Sequence, residues 1–255
     1  MRTSTGFCAA LPVLVCLCST GHASTIALNA LSNTSNTGYV SWINAQQQAE
    51  TENVYISQFQ MDYTPNGANS STILYTYCVD LNHSEKLTAP PTSYTVTPTS
   101  LTSAFGQTNG NEIGYLYDKY GTTNLAGKAT QDAALQLALW DLSVSSRTPT
   151  SFSYNTAAGK YTSGDSLFGV SGISSDVATL TSQYLTEAHN QSPGNVVLLQ
   201  SGPASDTSLQ QSVLIDQDGL AAAPEPTAYI LFATLLGALW IIRMARSGLP
   251  LLKTI

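Results

Sequence analysis

"AALQLALW", residues 133–140, is apolar at every position except Gln136. It sits inside the longer run "KATQDAALQLALWDLSV" (128–144), dominated by the helix formers Ala and Leu. A helix apolar on nearly every face is buried on every face, so this run predicts a central helix enclosed by other elements. Gln136 then lies in the core. Burying a primary amide without partners costs roughly 1–3 kcal/mol on protein mutational scales. Two arrangements satisfy it: a hydrogen bond to a backbone group on a neighbouring sheet, or a covalent bond from its carbonyl carbon to sulfur.

The enclosing elements read as strands. "TIALNAL" (25–31), "GYVSWI" (38–43) and "VYISQFQMDY" (54–63) are rich in β-branched and aromatic residues. "TILYTYCVDL" (72–81) reads as a buried strand and "TSYTVTP" (92–98) as another. "NEIGYLYDKYG" (111–121) predicts a short helix ended by Gly121. "SSDVATLTSQYLTEAHN" (174–190) predicts an amphipathic helix with Ser175 as N-cap. "NVVLLQ" (195–200) and "QQSVLID" (210–216) predict a closing hairpin. The expected class is α+β: a β sandwich or barrel with an inserted helical block, plus an N-terminal signal peptide and a single C-terminal hydrophobic helix.

The two ends set the compartment. Arg2 supplies a positive n-region, Phe7 to Cys18 a twelve-residue apolar stretch, and Gly21 and Ala23 the small residues of a cleavage site. Residues 1–23 therefore read as a secretory signal peptide. A lipoprotein signal needs a small pair directly before a cysteine, and Val15-Cys16 and Leu17-Cys18 do not supply one. Residues 224–255 read as a tail. Pro224-Glu225-Pro226 precedes sixteen uncharged, mostly apolar residues, Thr227 to Ile242, followed by Arg243 and Arg246. As a helix the apolar part covers about 24 Å, a little under the ~30 Å hydrocarbon core of a bilayer. The basic residues would stay cytoplasmic. This triple part resembles the C-terminal sorting signal of PEP-CTERM proteins, the exosortase substrates of Gram-negative bacteria. The tail runs on past the basic residues, through Ser247 to Ile255. The resemblance implies an inner-membrane intermediate, an exosortase-type processing enzyme as partner, and delivery to the cell surface or extracellular matrix.

Residues 24–223 remain as one exported domain, within the ordinary size range. Five basic residues (Lys86, Lys119, Lys128, Arg147 and Lys160) face fifteen acidic ones, a net charge of −10. Such a surface repels phosphate backbones and argues against nucleic-acid binding.

Removal of the leader takes Cys8, Cys16 and Cys18 with it and leaves Cys78. A lone cysteine in an exported protein is a buried inert thiol, half of an intermolecular disulfide, a metal ligand or a nucleophile. Free cysteine packs as a small hydrophobe, and Cys78 lies in an apolar run. Metal binding lacks partners: there is no second cysteine, and the domain's histidines are His83 and His189. "DQDG" (216–219) lacks the later Glu of a calcium loop and reads as a hairpin turn. No metal and no cofactor are expected.

"YCVD" (77–80) followed by "LQLALW" (135–140) resembles the paired motifs of bacterial thioester domains, over residues 38–216. In that family an aromatic-Cys segment on a strand pairs with a Gln-x-Ala-aliphatic-Trp segment on a helix. Gln136-Leu137-Ala138-Leu139-Trp140 fits the second pattern. Gln131 starts a rival match, but Ala134 and Leu135 occupy its aliphatic and Trp places. The resemblance implies an internal Cys78–Gln136 thioester. Sulfur attacks the side-chain carbonyl, ammonia leaves, and a ring closes a loop worth ~4 kcal/mol if disulfide loop entropy applies. An amine on a surface or matrix target then attacks Gln136, releasing Cys78 and fixing the protein by an amide. That is a single-use reagent for adhesion, not a turnover enzyme.

Thiolate is the nucleophile, and an ordinary thiol of pKa about 8.5 is only a few per cent ionised. His83 and Asp80 are candidate proton acceptors, although "DLNHSE" (80–85) also reads as a solvated turn. Tyr77, Tyr115, Tyr117 and Tyr120 would shield the bond from water or serve as plain core contacts. Two other functions compete. One is a structural extracellular-matrix protein with an inert Cys78. The other is a cysteine hydrolase using Cys78 with His189 or His83, which lacks the usual helix N-terminus beside the thiol.

Overall fold

A computed structural model describes residues 24–44, 46–65, 68, 70–82, 93–145, 152–201 and 211–220. The leader, the Pro224-Glu225-Pro226 motif, the apolar stretch 227–242, Arg243 and Arg246 lie outside these residues, as does His83. Among the described residues no helix is long and apolar enough to cross a membrane.

The chain folds as a mixed α/β protein with antiparallel sheets and a few helices. One sheet has the order β5-β4-β1-β6, from β1 (Thr25–Leu31), β4 (Phe59–Thr64), β5 (Thr72–Thr76) and β6 (Tyr94–Thr95). A second has the order β3-β2-β10-β9-β8. It is built from β2 (Thr37–Ile43), β3 (Ala49–Tyr55), β8 (Phe152–Asn155), β9 (Lys160–Ser163) and β10 (Phe168–Ser171). The third has the order β12-β11-β7, from β7 (Thr97–Ser100), β11 (Val196–Gln200) and β12 (Val213–Asp216). Between β7 and β8 run α1 (Leu101–Phe105), α2 (Gln107–Leu116), a π-helical turn Tyr117–Gly121 and α3 (Ala129–Val144). Then α4 (Ser175–Ala188) joins β10 to β11.

Helix α3 is the centre of the molecule. Every residue from Asp132 to Leu142 is buried, as its all-round apolar sequence requires. It packs against α2, α4 and β10, and Thr181 of α4 donates to the Ala134 carbonyl at 3.3 Å. The amphipathic α4 starts one residue earlier than its sequence suggests. Ser174, not Ser175, is the N-cap, its hydroxyl accepting from Val177 N–H at 3.3 Å.

Three readings of the strands change. The run 54–63 is two strands, not one: β3 ends at Tyr55, β4 begins at Phe59, and they belong to different sheets. The break falls at Ser57 and Gln58, both fully buried and both engaged by side chains of other segments. The run 72–81 is strand only to Thr76. Beyond it Cys78 makes an isolated bridge to Val213, with Leu214 N–H donating to Tyr77 O and Val79 N–H to Ser212 O, each at 3.2 Å. Tyr77–Val79 thus stitches the end of β5 to β12. The run 92–98 is divided between β6 and β7, in two different sheets. The predicted pairing of the last two strands holds, with Leu198 opposite Leu214, while β7 flanks β11 on its other side.

Candidate functional site

Cys78 is completely buried. Its sulfur lies in a tight local turn: Asp80 N–H donates to Sγ at 3.3 Å, and Sγ lies 3.2 Å from the Asp80 carbonyl oxygen. The Asp80 carboxylate accepts from Asn82 N–H at 3.0 Å.

Gln136 reaches the same segment from α3. Its side-chain Nε2 donates to the Cys78 carbonyl oxygen at 2.7 Å. The orientation of the amide follows from chemistry, because a carbonyl oxygen only accepts and must face the NH2 end. The other prong, Oε1, is buried with no hydrogen-bond partner. Gln58 shows what a satisfied buried amide looks like in this protein. Its Nε2 donates to the carbonyls of Gly121 (3.0 Å) and Thr123 (2.9 Å), and its Oε1 accepts from Leu125 N–H (3.0 Å) and Ser32 (3.1 Å). The fold brings Gln136 to Cys78 and leaves Gln131 exposed.

A second contact, not anticipated from sequence, fixes the same strand to the same helix. Asp132 lies one turn before Gln136 on α3 and is fully buried. Its Oδ2 accepts from Ser57 (2.8 Å) and Asn33 Nδ2 (2.5 Å). Its Oδ1 accepts from Gln58 N–H (2.6 Å) and the Tyr77 hydroxyl (3.1 Å). Burial pushes the Asp132 carboxyl up from its ordinary value, against the pull of these donors. Burial likewise drives the Tyr77 phenol up, with the Asp132 charge adding to it. Consecutive residues Tyr77 and Cys78 are thus clamped to Asp132 and Gln136, which share a face of α3 because they are four residues apart.

Comparison with family models, with curated proteins and with solved structures finds no match.

The remaining predicted residues divide between core and surface. Tyr117 is buried and donates to the Tyr75 carbonyl at 2.8 Å. Tyr115 and Tyr120 instead converge on Glu187 at 2.8 and 2.6 Å, where Lys119 also binds. His189, at the end of α4, places Nδ1 3.3 Å from buried Glu112. Among the described residues no group of three His, Cys, Asp or Glu side chains is arranged to hold a metal ion.

The arrangement presents a thiol-bearing residue and a carboxamide within one buried contact, with no water-exposed surface on either. The sulfur itself lies against the Asp80 backbone, and the contact Gln136 makes is with the Cys78 backbone carbonyl.

Proposed function

We propose that this is an exported surface or matrix protein that forms an internal Cys78–Gln136 thioester and attaches itself covalently to amine nucleophiles. One observation carries the reading. Gln136 is buried in the centre of α3, its amide nitrogen is bonded to the Cys78 backbone, and its carbonyl oxygen has no partner. Gln58, by contrast, satisfies both ends of its buried amide.

In the reaction, the Cys78 thiol attacks the Gln136 side-chain carbon, a tetrahedral oxyanion forms, and ammonia leaves. Fixed groups reach effective molarities of ~10⁵ M or more, which replaces much of the activation that an isolated amide lacks. Burial keeps bulk water from the thioester. A target amine then reaches the carbonyl through local opening of the packing, attacks Gln136, and releases Cys78 as thiol. The protein is spent once, so it is a reagent and not an enzyme. The resemblance of "YCVD" and "LQLALW" to thioester-domain motifs supports this chemistry, and a sandwich or barrel carrying a helical block is the architecture it implies. The resemblance of the tail to PEP-CTERM sorting signals supports export through the inner membrane and processing by an exosortase-type enzyme. His83 relays the proton in this scheme, taking it from the Cys78 thiol and giving it to the departing Nε2.

A second reading is favoured by the hold of the Asp80 backbone on Sγ and the full burial of Cys78. On that reading Gln136 merely docks the strand, Cys78 is inert, and the protein is a structural coat component. Methylamine separates the two. The thioester reading expects one methylamine incorporated at Gln136 and one new thiol at Cys78, neither occurring in Cys78→Ala. Labelling nowhere, or equally in the variant, decides for the structural coat.

A further inference from the structure

Four buried side-chain polar atoms among the described residues have no hydrogen-bond partner: Asn111 Oδ1, Gln136 Oε1, Gln211 Oε1 and Trp140 Nε1. Three are acceptors. The only donor is the indole N–H of Trp140, which can do nothing but donate. Trp140 is 3% exposed and lies on α3 four residues after Gln136. Residues so spaced share a helix face with their Cβ atoms about 5–6 Å apart. Long helical side chains ordinarily lean back toward the N-terminus, which for Trp140 is the direction of the turn that carries Gln136. The other described tryptophan is not left this way: Trp42 donates to Asn82 Oδ1 at 3.3 Å. An unsatisfied acceptor and an unsatisfied donor therefore stand one helical turn apart, and the acceptor is the atom that gains charge if the carbonyl is attacked.

We propose that Trp140 is a catalytic residue of the thioester chemistry, its Nε1–H acting as the oxyanion donor to Gln136 Oε1. The inference rests on the reading above. When Sγ bonds to Cδ, the C=O π pair moves onto Oε1 and the thiol proton passes to Nε2. The lone pair then returns, the Cδ–Nε2 bond breaks, and ammonia departs. Opening by an amine repeats the geometry. Nitrogen attacks Cδ, Oε1 again takes the charge, the Cδ–Sγ bond breaks, and the amine's proton passes to sulfur. A donor that strengthens its interaction only as Oε1 becomes an oxyanion lowers both barriers without stabilising the resting state. The donor gains most as Oε1 becomes an oxyanion, because a hydrogen bond to a charged acceptor is roughly twice as strong as one to a neutral acceptor.

The test replaces the N–H without changing shape. The full-length chain, never folded, is made with β-(3-benzothienyl)alanine at position 140, which exchanges the indole N–H for sulfur. It is diluted from urea into buffer beside the wild type. Ammonia release on folding and later methylamine incorporation at Gln136 are followed by peptide mass. The expected result is an unchanged or higher urea midpoint, because the lost N–H had no partner, with both rates reduced about 100-fold or more. Trp140→Phe is the second variant. It leaves a cavity and lowers the midpoint, and its rates are expected to fall equally. Wild-type rates in either folded variant would overturn the role of Trp140 and leave the thioester reading standing. A wild type that releases no ammonia overturns both.

Discussion

The Tyr77 hydroxyl donates to Asp132 at 3.1 Å, one helical turn from the point where Gln136 donates to the Cys78 carbonyl. The two contacts fix adjacent residues of an irregular strand segment to one face of α3. They hold the Tyr77–Cys78 backbone against α3, so on the proposed reading the Asp132 cluster is a positioning group. Asp132→Asn replaces an acceptor oxygen by an NH2 that faces donors from Ser57 and Asn33, or from Gln58 and Tyr77. The expected loss is about 3 kcal/mol, read from urea unfolding. Thioester yield in the folded fraction should fall with it.

The same carboxyl gives stability an unusual acid dependence. Its folded pKa is raised above the ordinary 3.8, chiefly by burial. The folded state therefore holds this proton more tightly than the unfolded chain does. The contribution is fully present below the unfolded value and is lost as pH rises through the folded one. Between those two values Asp132 should make the protein less stable with rising pH. Subtracting the urea-unfolding profile of Asp132→Asn from that of the wild type isolates this slope, and a difference of the opposite sign would show that the four donors outweigh burial.

Glu187 should act in the reverse sense. Lys119 foremost, then Tyr120, hold its carboxyl down from 4.5 to about 2. Its folded pKa is depressed, so its contribution is present above the unfolded value and disappears as pH falls from about 4.5 through about 2. The cluster is partly exposed, so high salt should weaken the effect. Thermal unfolding of Glu187→Gln, at low and high salt, checks both statements.

Gln136→Glu tests the contact at its centre. The variant exchanges the NH2 that faces the Cys78 carbonyl for a second oxygen, buried and without donors. A charged carboxylate there is expected to cost about 3 kcal/mol or more, and the group should take up a proton in order to fold. Unfolding free energy should accordingly fall as pH rises above the ordinary glutamate value of about 4.3. A midpoint that does not change with rising pH would mean that Gln136 does not hold the strand.

Part of this was legible in the sequence. The run 133–140 is apolar at every position except Gln136, so its burial and the burial of Gln136 followed directly; that Gln136 meets the backbone carbonyl of Cys78 is seen only in the fold. The alternating runs at 25–31 and 195–200 are strands as their pattern implied. Asp132 was not legible, because an acidic residue in the first turn of a helix ordinarily complements the helix dipole at the surface. Its partners Asn33, Ser57, Gln58 and Tyr77 come from three separate segments that only the tertiary fold assembles. The break at Ser57-Gln58 left one trace, a shift of the apolar phase from Val54 and Ile56 to Phe59, Met61 and Tyr63, while the contact that accompanies it, Gln58 N–H to Asp132, is made only in the fold. Strands β8 to β10 have short, Gly- and Ser-rich sequences whose pairing is set by neighbours.

The central claim concerns one covalent bond, and an intact mass decides it. The purified protein should be lighter than its sequence mass by one ammonia, while Cys78→Ala shows its full mass. Peptide mapping should join the Cys78 and Gln136 peptides, and a thiol reagent should find no cysteine at position 78 after unfolding. Full mass in the wild type, with Cys78 reacting on denaturation, would contradict the account.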